Sequence, residues 1–280
     1  MKLLRGKKIA SEILKELKYL IEEKEIRPNL AVILIGENKA SKLYIRLKST
    51  AAKKAGIGFA LFKFRSDAKE KNVINLIKNL NRDKNISGII VQLPLPDRFS
   101  TGRIIKTIDP EKDADGFHPE NIKKFLKGKG SISPVFPTAI MKLIESTKLN
   151  LRGRNAIIVA NSHIFGKIMA EALKRKKIKS IILSRLNLDK KANLMKMADI
   201  IITAVGKPGL IKGAMIKKGV IIIDGGIIKK RGKVYGDIDF NSVVPIAGYL
   251  SPVPGGVGPM TVACLLENVY KLAVAQNRNK

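Results

Sequence analysis

Tryptophan is absent from the 280 residues, and aromatic side chains make up only 5% of them. Stacking platforms for single-stranded nucleic acid are therefore scarce. Cysteine occurs once, at Cys264, and histidine twice, at His118 and His163. A disulfide framework and a thiolate zinc cluster are excluded, a histidine-rich metal site has almost no material, and no metal is expected. Long apolar runs are missing as well. Ile200-Ile201-Ile202 and Val220-Ile221-Ile222-Ile223 have strand length, short of the roughly 20 apolar residues of a membrane-spanning helix. Met1-Lys2-Leu3-Leu4 starts like a signal peptide, but Arg5, Lys7 and Lys8 interrupt it before an apolar stretch builds. The expectation is a cytoplasmic protein.

Acidic side chains are the scarce charge: 23 Asp and Glu stand against 54 Lys and Arg, a net +31. A basic nucleic-acid-binding protein is the rival reading that this charge raises. Its lysines are spread from Lys7-Lys8 to Lys229-Lys230 rather than gathered in one patch, and no recognition motif accompanies them. A mobility shift that weakens with salt would support that reading. The charge also favours anionic small molecules by long-range attraction.

What is present is ample core material, with 45% hydrophobic residues, and a regular alternation of patterns. Ile13, Leu14, Leu17, Leu20 and Ile21 have helical spacing, and Pro28 ends that helix. Strands are predicted at 30–35, 58–64 and 86–93, with helices at 41–55 and 73–80 between them. Residues 109–120 carry two prolines, a glycine and five acidic residues, so they read as a loop. A helix is expected at 137–149. Alternation then restarts: strands at 156–160, 179–183, 199–205 and 220–223, helices at 166–176 and 188–198, and a last helix at 261–274. Strands separated by helices pair in parallel through right-handed crossovers. The fold class is α/β with two domains, an N-terminal α/β domain at 1–120 and a Rossmann-like doubly wound sheet at 121–280; the last helix is free to pack back on the first domain.

Several residue groups point to chemistry. Tyr44 and Lys48 are four apart on a helix and share a face. Gln92 ends a buried strand, where the active sites of parallel sheets collect. Asp115 sits in the acidic loop. Pro252-Val-Pro254-Gly255-Gly256-Val-Gly-Pro-Met-Thr261 sets three glycines among three prolines before a helix, which confines the backbone and lets a ligand come close.

That string closely resembles the signature of the bifunctional methylenetetrahydrofolate dehydrogenase/cyclohydrolase family. Other landmarks follow in order: Ser41-Lys-Leu-Tyr44-Ile-Arg-Leu-Lys48, Gln92-Leu-Pro-Leu-Pro96, Lys112-Asp113-Ala-Asp115-Gly116-Phe117, Ala204-Val-Gly206-Lys207-Pro208 and Gly236-Asp237-Ile-Asp239-Phe240. The resemblance implies oxidation of 5,10-methylenetetrahydrofolate with NADP, hydrolysis of the methenyl product to 10-formyltetrahydrofolate, and a homodimer with folate in a cleft between domains. Lys48 would carry the proton of the hydrolysis, with Gln92 holding its amine. Tyr44 would stack on the folate, and Asp115 would accept hydrogen bonds from the pterin. Pro254, Gly255 and Gly256 would complete the substrate site. Asn161, Ser162, Gly166, Ser184, Arg185, Gly206 and Ile227 would line the cofactor.

The family's G-R-S-x-x-V-G-x-P loop reads Ala160-Asn161-Ser162-His163-Ile164-Phe165-Gly166-Lys167-Ile168, without its first glycine, its arginine and its last proline. Pro134-Val-Phe136-Pro137 replaces P-C-T-P. The alternative within the fold is therefore a cyclohydrolase with weak or lost dehydrogenase activity. His163 reads as a surface residue and Cys264 as core. Ser184 and Arg185, where an NAD site would place a carboxylate, favour NADP.

Overall fold

A computed structural model describes residues 1–188, 191–230 and 232–278. The elements begin with β1 (Lys2–Leu3), α1 (Gly6–Glu23), β2 (Asn29–Ile35), α2 (Lys39–Lys54), β3 (Gly58–Phe64), α3 (Glu70–Arg82), β4 (Gly88–Val91), α4 (Thr101–Thr107), α5 (Pro119–Leu126) and α6 (Val135–Glu145). They continue with β5 (Asn155–Ala160), α7 (His163–Arg175), β6 (Lys179–Leu183), α8 (Ala192–Met197), β7 (Ile200–Ala204), β8 (Ile221–Asp224), β9 (Ile228–Lys230), β10 (Lys233–Tyr235), α9 (Phe240–Val243), β11 (Tyr249–Leu250) and α10 (Val257–Arg278). The chain forms two compact units. One comprises 11–135 and the chain from Val262 on; the other comprises 1–10 and 136–261. Residues 121–135 thus pack with the first of these, and the first ten residues with the second.

In the unit built on 11–135, a three-stranded parallel sheet runs β3-β2-β4. Leu30 to Ile35 of the central strand are all buried, as a strand covered on both faces must be. Val73, Ile77 and Leu80 line one face of α3 at helical spacing and pack on Ala31, Ile33 and Ile35. The expected 109–120 loop runs beside β4: Ile89 N donates to the Lys112 carbonyl at 2.7 Å, and Ala114 N to the Ile89 carbonyl at 3.3 Å. Pro119 opens α5, with His118 as its N-cap.

The other unit holds a six-stranded parallel sheet in the order β1-β11-β8-β7-β5-β6. Apart from β1, this is a doubly wound order whose topological switch lies between β5 and β7. Ile157, Ile201 and Ile222 of adjacent strands share one core with Leu183, Met195 and Val243. Gly166 lets α7 lie close on the sheet, since a Cβ there would come 3.0 Å from Ile182. Of the helix expected at 188–198, Ala192–Met197 is helical, and Asp189 and Lys190 lie outside the described residues. Pattern alone did not predict β1, β11, α4, α5, α9 or the β9–β10 hairpin, which are short and lack the continuous apolar run that marks a strand buried in a sheet.

Two buried carboxylates tie the loops at the carboxyl edge of this sheet. Asp237 accepts from Thr203 Oγ1 at 2.5 Å, Val205 N at 2.8 Å and Lys207 N at 2.7 Å. Asp224 accepts from Gly226 N at 3.0 Å, Asp237 N at 3.0 Å and Ile238 N at 3.1 Å. A Cβ on Gly226 would run into the Asp237 carboxylate, and one on Gly236 into that of Asp224. Burial, reinforced by the Asp237 charge and opposed by the backbone donors, raises Asp224 to about 6. The folded carboxyl therefore holds its proton more tightly than the unfolded one, and its stabilising contribution is lost as pH rises through about 6. Against Asp224→Asn, the wild-type advantage in melting temperature should shrink by several degrees between pH 4 and pH 6, then stay level above pH 7. A difference that does not vary with pH would refute this titration.

Candidate active site

The candidate side chains Tyr44, Lys48, Gln92 and Asp115 belong to the unit built on 11–135, on helix α2, after strand β4 and in the loop beside β4. Helix α2 leaves β2 through a turn in which Asn38 Oδ1 accepts from Ala40 N and Ser41 N, at 2.9 and 3.0 Å. Ile45, Ala51 and Ala52 are buried, while Tyr44 and Lys48 stand one turn apart and half-buried. Gln92 follows the last residue of β4, its backbone N donating to the Ile33 carbonyl at 2.9 Å. Lys48 Nζ donates to Gln92 Oε1 at 3.0 Å. The Gln92 amide is oriented by its own donation to the Leu93 carbonyl at 2.7 Å.

Asp115 reaches the same end of the sheet by register. Asp113 pairs in parallel with Ile89, so the chain two residues on is level with Val91, next to Gln92. Burial pushes the Lys48 ammonium below the ordinary lysine range, and the Asp115 charge pulls it back. Burial likewise lifts Asp115 above the usual carboxylate range; Lys48 opposes this and Asp113 adds to it. Tyr44 is raised by burial alone. The unit thus brings together a lysine whose proton affinity burial lowers, an amide acceptor, a carboxylate and a phenol ring.

The supports of this site escaped the sequence reading. Asp113 is buried and accepts from Gly116 N, His118 N and Asn121 Nδ2, at 3.1, 2.7 and 3.0 Å. Lys112, also buried, donates to the Leu80 and Asp83 carbonyls at the end of α3, at 2.8 and 2.6 Å. Asn268 on α10 donates to the carbonyls of Ala114 and Ser133, both at 2.9 Å. Gly116 has φ +71°, and a Cβ there would come 2.9 Å from Pro134. The one sequence signal for Lys112 and Asp113 is their place in the Lys112-Asp113-Ala-Asp115-Gly116 run.

Pro254, Gly255 and Gly256 lie in the other unit, in a turn closed by Gly256 N donating to the Pro252 carbonyl at 2.7 Å. The Gly255 carbonyl accepts from Lys7 N at 3.2 Å. Gly6 packs so closely on the Gly256 carbonyl that a Cβ at residue 6 would overlap it.

The residues expected at the cofactor belong to the six-stranded unit and cluster at one edge of its sheet. Asn161 and Ser162 follow β5, Ser184 and Arg185 follow β6, Gly206 follows β7 and Ile227 follows β8. Asn161 Nδ2 reaches the Val205 carbonyl at 3.5 Å, across the switch between β5 and β7. Ser162 caps α7, its Oγ accepting from Phe165 N at 3.3 Å. Gly206 has φ +75°, a left-handed turn that brings backbone to the edge. A helix N-terminus, a hydroxyl and a guanidinium suit an anionic dinucleotide bearing an extra phosphate. Among the described residues no cluster of three His, Cys, Asp or Glu could hold a metal, and no helix is long and apolar enough to cross a membrane.

Comparison with known proteins agrees in both units. Residues 4–115 match Tetrahydrofolate dehydrogenase/cyclohydrolase, catalytic domain. Residues 134–277 match Tetrahydrofolate dehydrogenase/cyclohydrolase, NAD(P)-binding domain. Over 283 residues the chain is 40% identical to the bifunctional protein FolD of Nitratiruptor sp., with both chains fully covered. The crystal structure of the bifunctional FolD enzyme from Campylobacter jejuni superposes with a TM-score of 0.93 at 38% identity, covering 99% of each chain. The Trypanosoma brucei FolD enzyme, solved with NADP cofactor and an inhibitor, gives 0.93 at 30% identity over 99% of this chain and 98% of its own. With both halves matched and full-length relatives this similar, the chain belongs to the tetrahydrofolate dehydrogenase/cyclohydrolase family.

Proposed function

We propose that this chain oxidises 5,10-methylenetetrahydrofolate to the methenyl form with NADP and then hydrolyses that product to 10-formyltetrahydrofolate, using the residues just described. The observation that carries this reading is the Lys48–Gln92 hydrogen bond of 3.0 Å, formed by a lysine whose proton affinity burial has lowered. Hydration of a methenyl carbon needs a group that takes a proton from water and returns one to the ring nitrogen. Such a group works best with a pKa near the working pH. A half-buried lysine whose proton affinity is lowered, facing a substrate that is itself cationic, meets that need. Gln92 orients the amine. Tyr44 offers a ring face to the folate. Asp115, when ionised, is acceptor-only and suits the donor edge of a pterin.

NADP, when bound, accepts the hydride. The first turn of α7 with Ser162 would hold its pyrophosphate, and Ser184 with Arg185 its 2′-phosphate. Asn161, Gly166, Gly206 and Ile227 would shape the rest of the site. The proposal includes a homodimer, a cytoplasmic location and supply of formyl groups for purine synthesis. In favour of a dimer stands the outer strand β6, whose Ile181 and Ile182 are 46% and 37% exposed.

Lys48→Met should cut methenyl hydrolysis by roughly 10²–10⁴-fold while the fold survives. In the wild type the rate should rise with pH along a limb below the ordinary lysine range, and the variant should lack that limb. Near wild-type hydrolysis by a folded variant would sink the assignment.

Asp115→Ala strands buried pterin donors, at about 1–3 kcal/mol each, so folate affinity should fall about tenfold or more with NADP affinity unchanged. Calorimetry showing equal losses for both ligands would mean that Asp115 acts through loop structure.

Arg185→Ala should raise KM for NADP severalfold and leave KM for NAD nearly unchanged. A wild type that reduces NAD faster than NADP at equal low concentration would overturn the preference. Absence of reduction of either, with hydrolysis intact, would establish a cyclohydrolase alone.

A further inference from the structure

Phe136 and Phe165 meet at the carboxyl edge of the six-stranded sheet, their ring centroids 5.1 Å apart and their planes inclined by 41°. Phe136 stands in the first turn of α6, and Phe165 in the first turn of α7. The Phe136 ring occupies the space a side chain on Gly225 would need, since a Cβ there would lie 2.7 Å from its tip. Gly225 directly follows β8, and its N donates to the Thr203 carbonyl of β7 at 2.8 Å. The pair therefore spans from the phosphate-binding turn after β5 to the end of β8. Neither ring is fully buried, although aromatic side chains gain most from complete burial.

A dinucleotide on a doubly wound sheet lies across the switch point, with its adenosine ribose at the end of the second strand of the βαβ unit. That strand is β6 here, so the opposite half of the cofactor extends toward β7 and β8, where the two rings are. Both positions also depart from the patterns quoted above, Phe136 for threonine in P-C-T-P and Phe165 for valine in G-R-S-x-x-V-G. The two departures touch each other, and they accompany Asn161 in place of the arginine at the phosphate end.

We propose that Phe136 and Phe165 form an apolar seat for the nicotinamide half of the cofactor, so that this chain draws part of its cofactor affinity from ring packing rather than from the 2′-phosphate. The inference rests on the cofactor placement proposed above. It makes the pair specificity-determining for that half of NADP, with no part in the hydride step itself.

The test is calorimetric titration of the full chain with NADP⁺ and with adenosine 2′,5′-bisphosphate, which lacks the whole nicotinamide mononucleotide half, its phosphate included. Phe136→Leu and Phe165→Leu keep an apolar side chain and remove an aromatic face. The expected result is NADP⁺ binding weakened roughly three- to tenfold in each folded variant, with bisphosphate binding unchanged. Unchanged NADP⁺ affinity would overturn the proposal, and so would equal weakening of both ligands, which would mean that the rings only shape the turn. Tighter NADP⁺ binding would also overturn it, by showing that the rings obstruct the site. Melting curves identify the folded variants, and one of the two suffices. Failure of the unaltered chain to bind either ligand would refute the cofactor placement first and the seat with it.

Discussion

Parallel strand pairing with both sheet faces covered is the constraint on which the rest depends. Leu30 to Ile35 and Ile200 to Ile202 are buried because helices lie over both faces of their sheets. Apolar side chains fill those strands, so polar side chains and open backbone are found where a strand ends. Gln92 follows β4, Asn161 follows β5, Ser184 follows β6 and Gly206 follows β7. Each unit, with its own sheet, applies the same rule at its own carboxyl edge.

Taking a lysine and a carboxylate out of water is costly unless both find partners. The unit built on 11–135 meets this cost locally. Lys48 has Gln92 Oε1 as an acceptor, and the Lys48 and Asp115 charges act on each other. Asp113 satisfies three donors around the turn that carries Asp115, while its charge makes Asp115 harder to ionise. Lys112 caps the end of α3 and so ties the acidic loop to the core. Of the four charged groups, Lys112 and Asp113 are the more deeply buried, while Lys48 and Asp115 are half-buried.

In the cofactor unit the equivalent scaffolding is the Asp224–Asp237 pair. Six donors converge on two carboxylates, and the adjoining glycines at 226 and 236 leave no room for a side chain. The Val205-Gly206-Lys207 turn is thereby set by residues about 30 positions further along. Arg185 is exposed on a short turn after β6.

Much of this was legible in the sequence. Apolar runs marked β2, β4, β5, β7 and β8 because a strand buried on both faces has few polar positions to interrupt it; the outer strands β3 and β6 are partly exposed and showed through their β-branched and aromatic content. Tyr44 and Lys48 were visible as a pair because helical spacing is local, and Gln92 because a polar residue closing an apolar run is conspicuous. Asp115 stood out only through resemblance, since an acidic loop residue looks like any turn residue. The tertiary structure decided the rest: the two-residue strands β1 and β11, the roles of Lys112, Asp113, Asp224, Asp237 and Asn268, and the meeting of Phe136 with Phe165. The longer strands and helices write their own periodicity into consecutive residues, whereas a buried donor, acceptor or ring is defined by a partner that only folding brings near. Asn268 binds a carbonyl 154 residues away, and no local pattern encodes that distance.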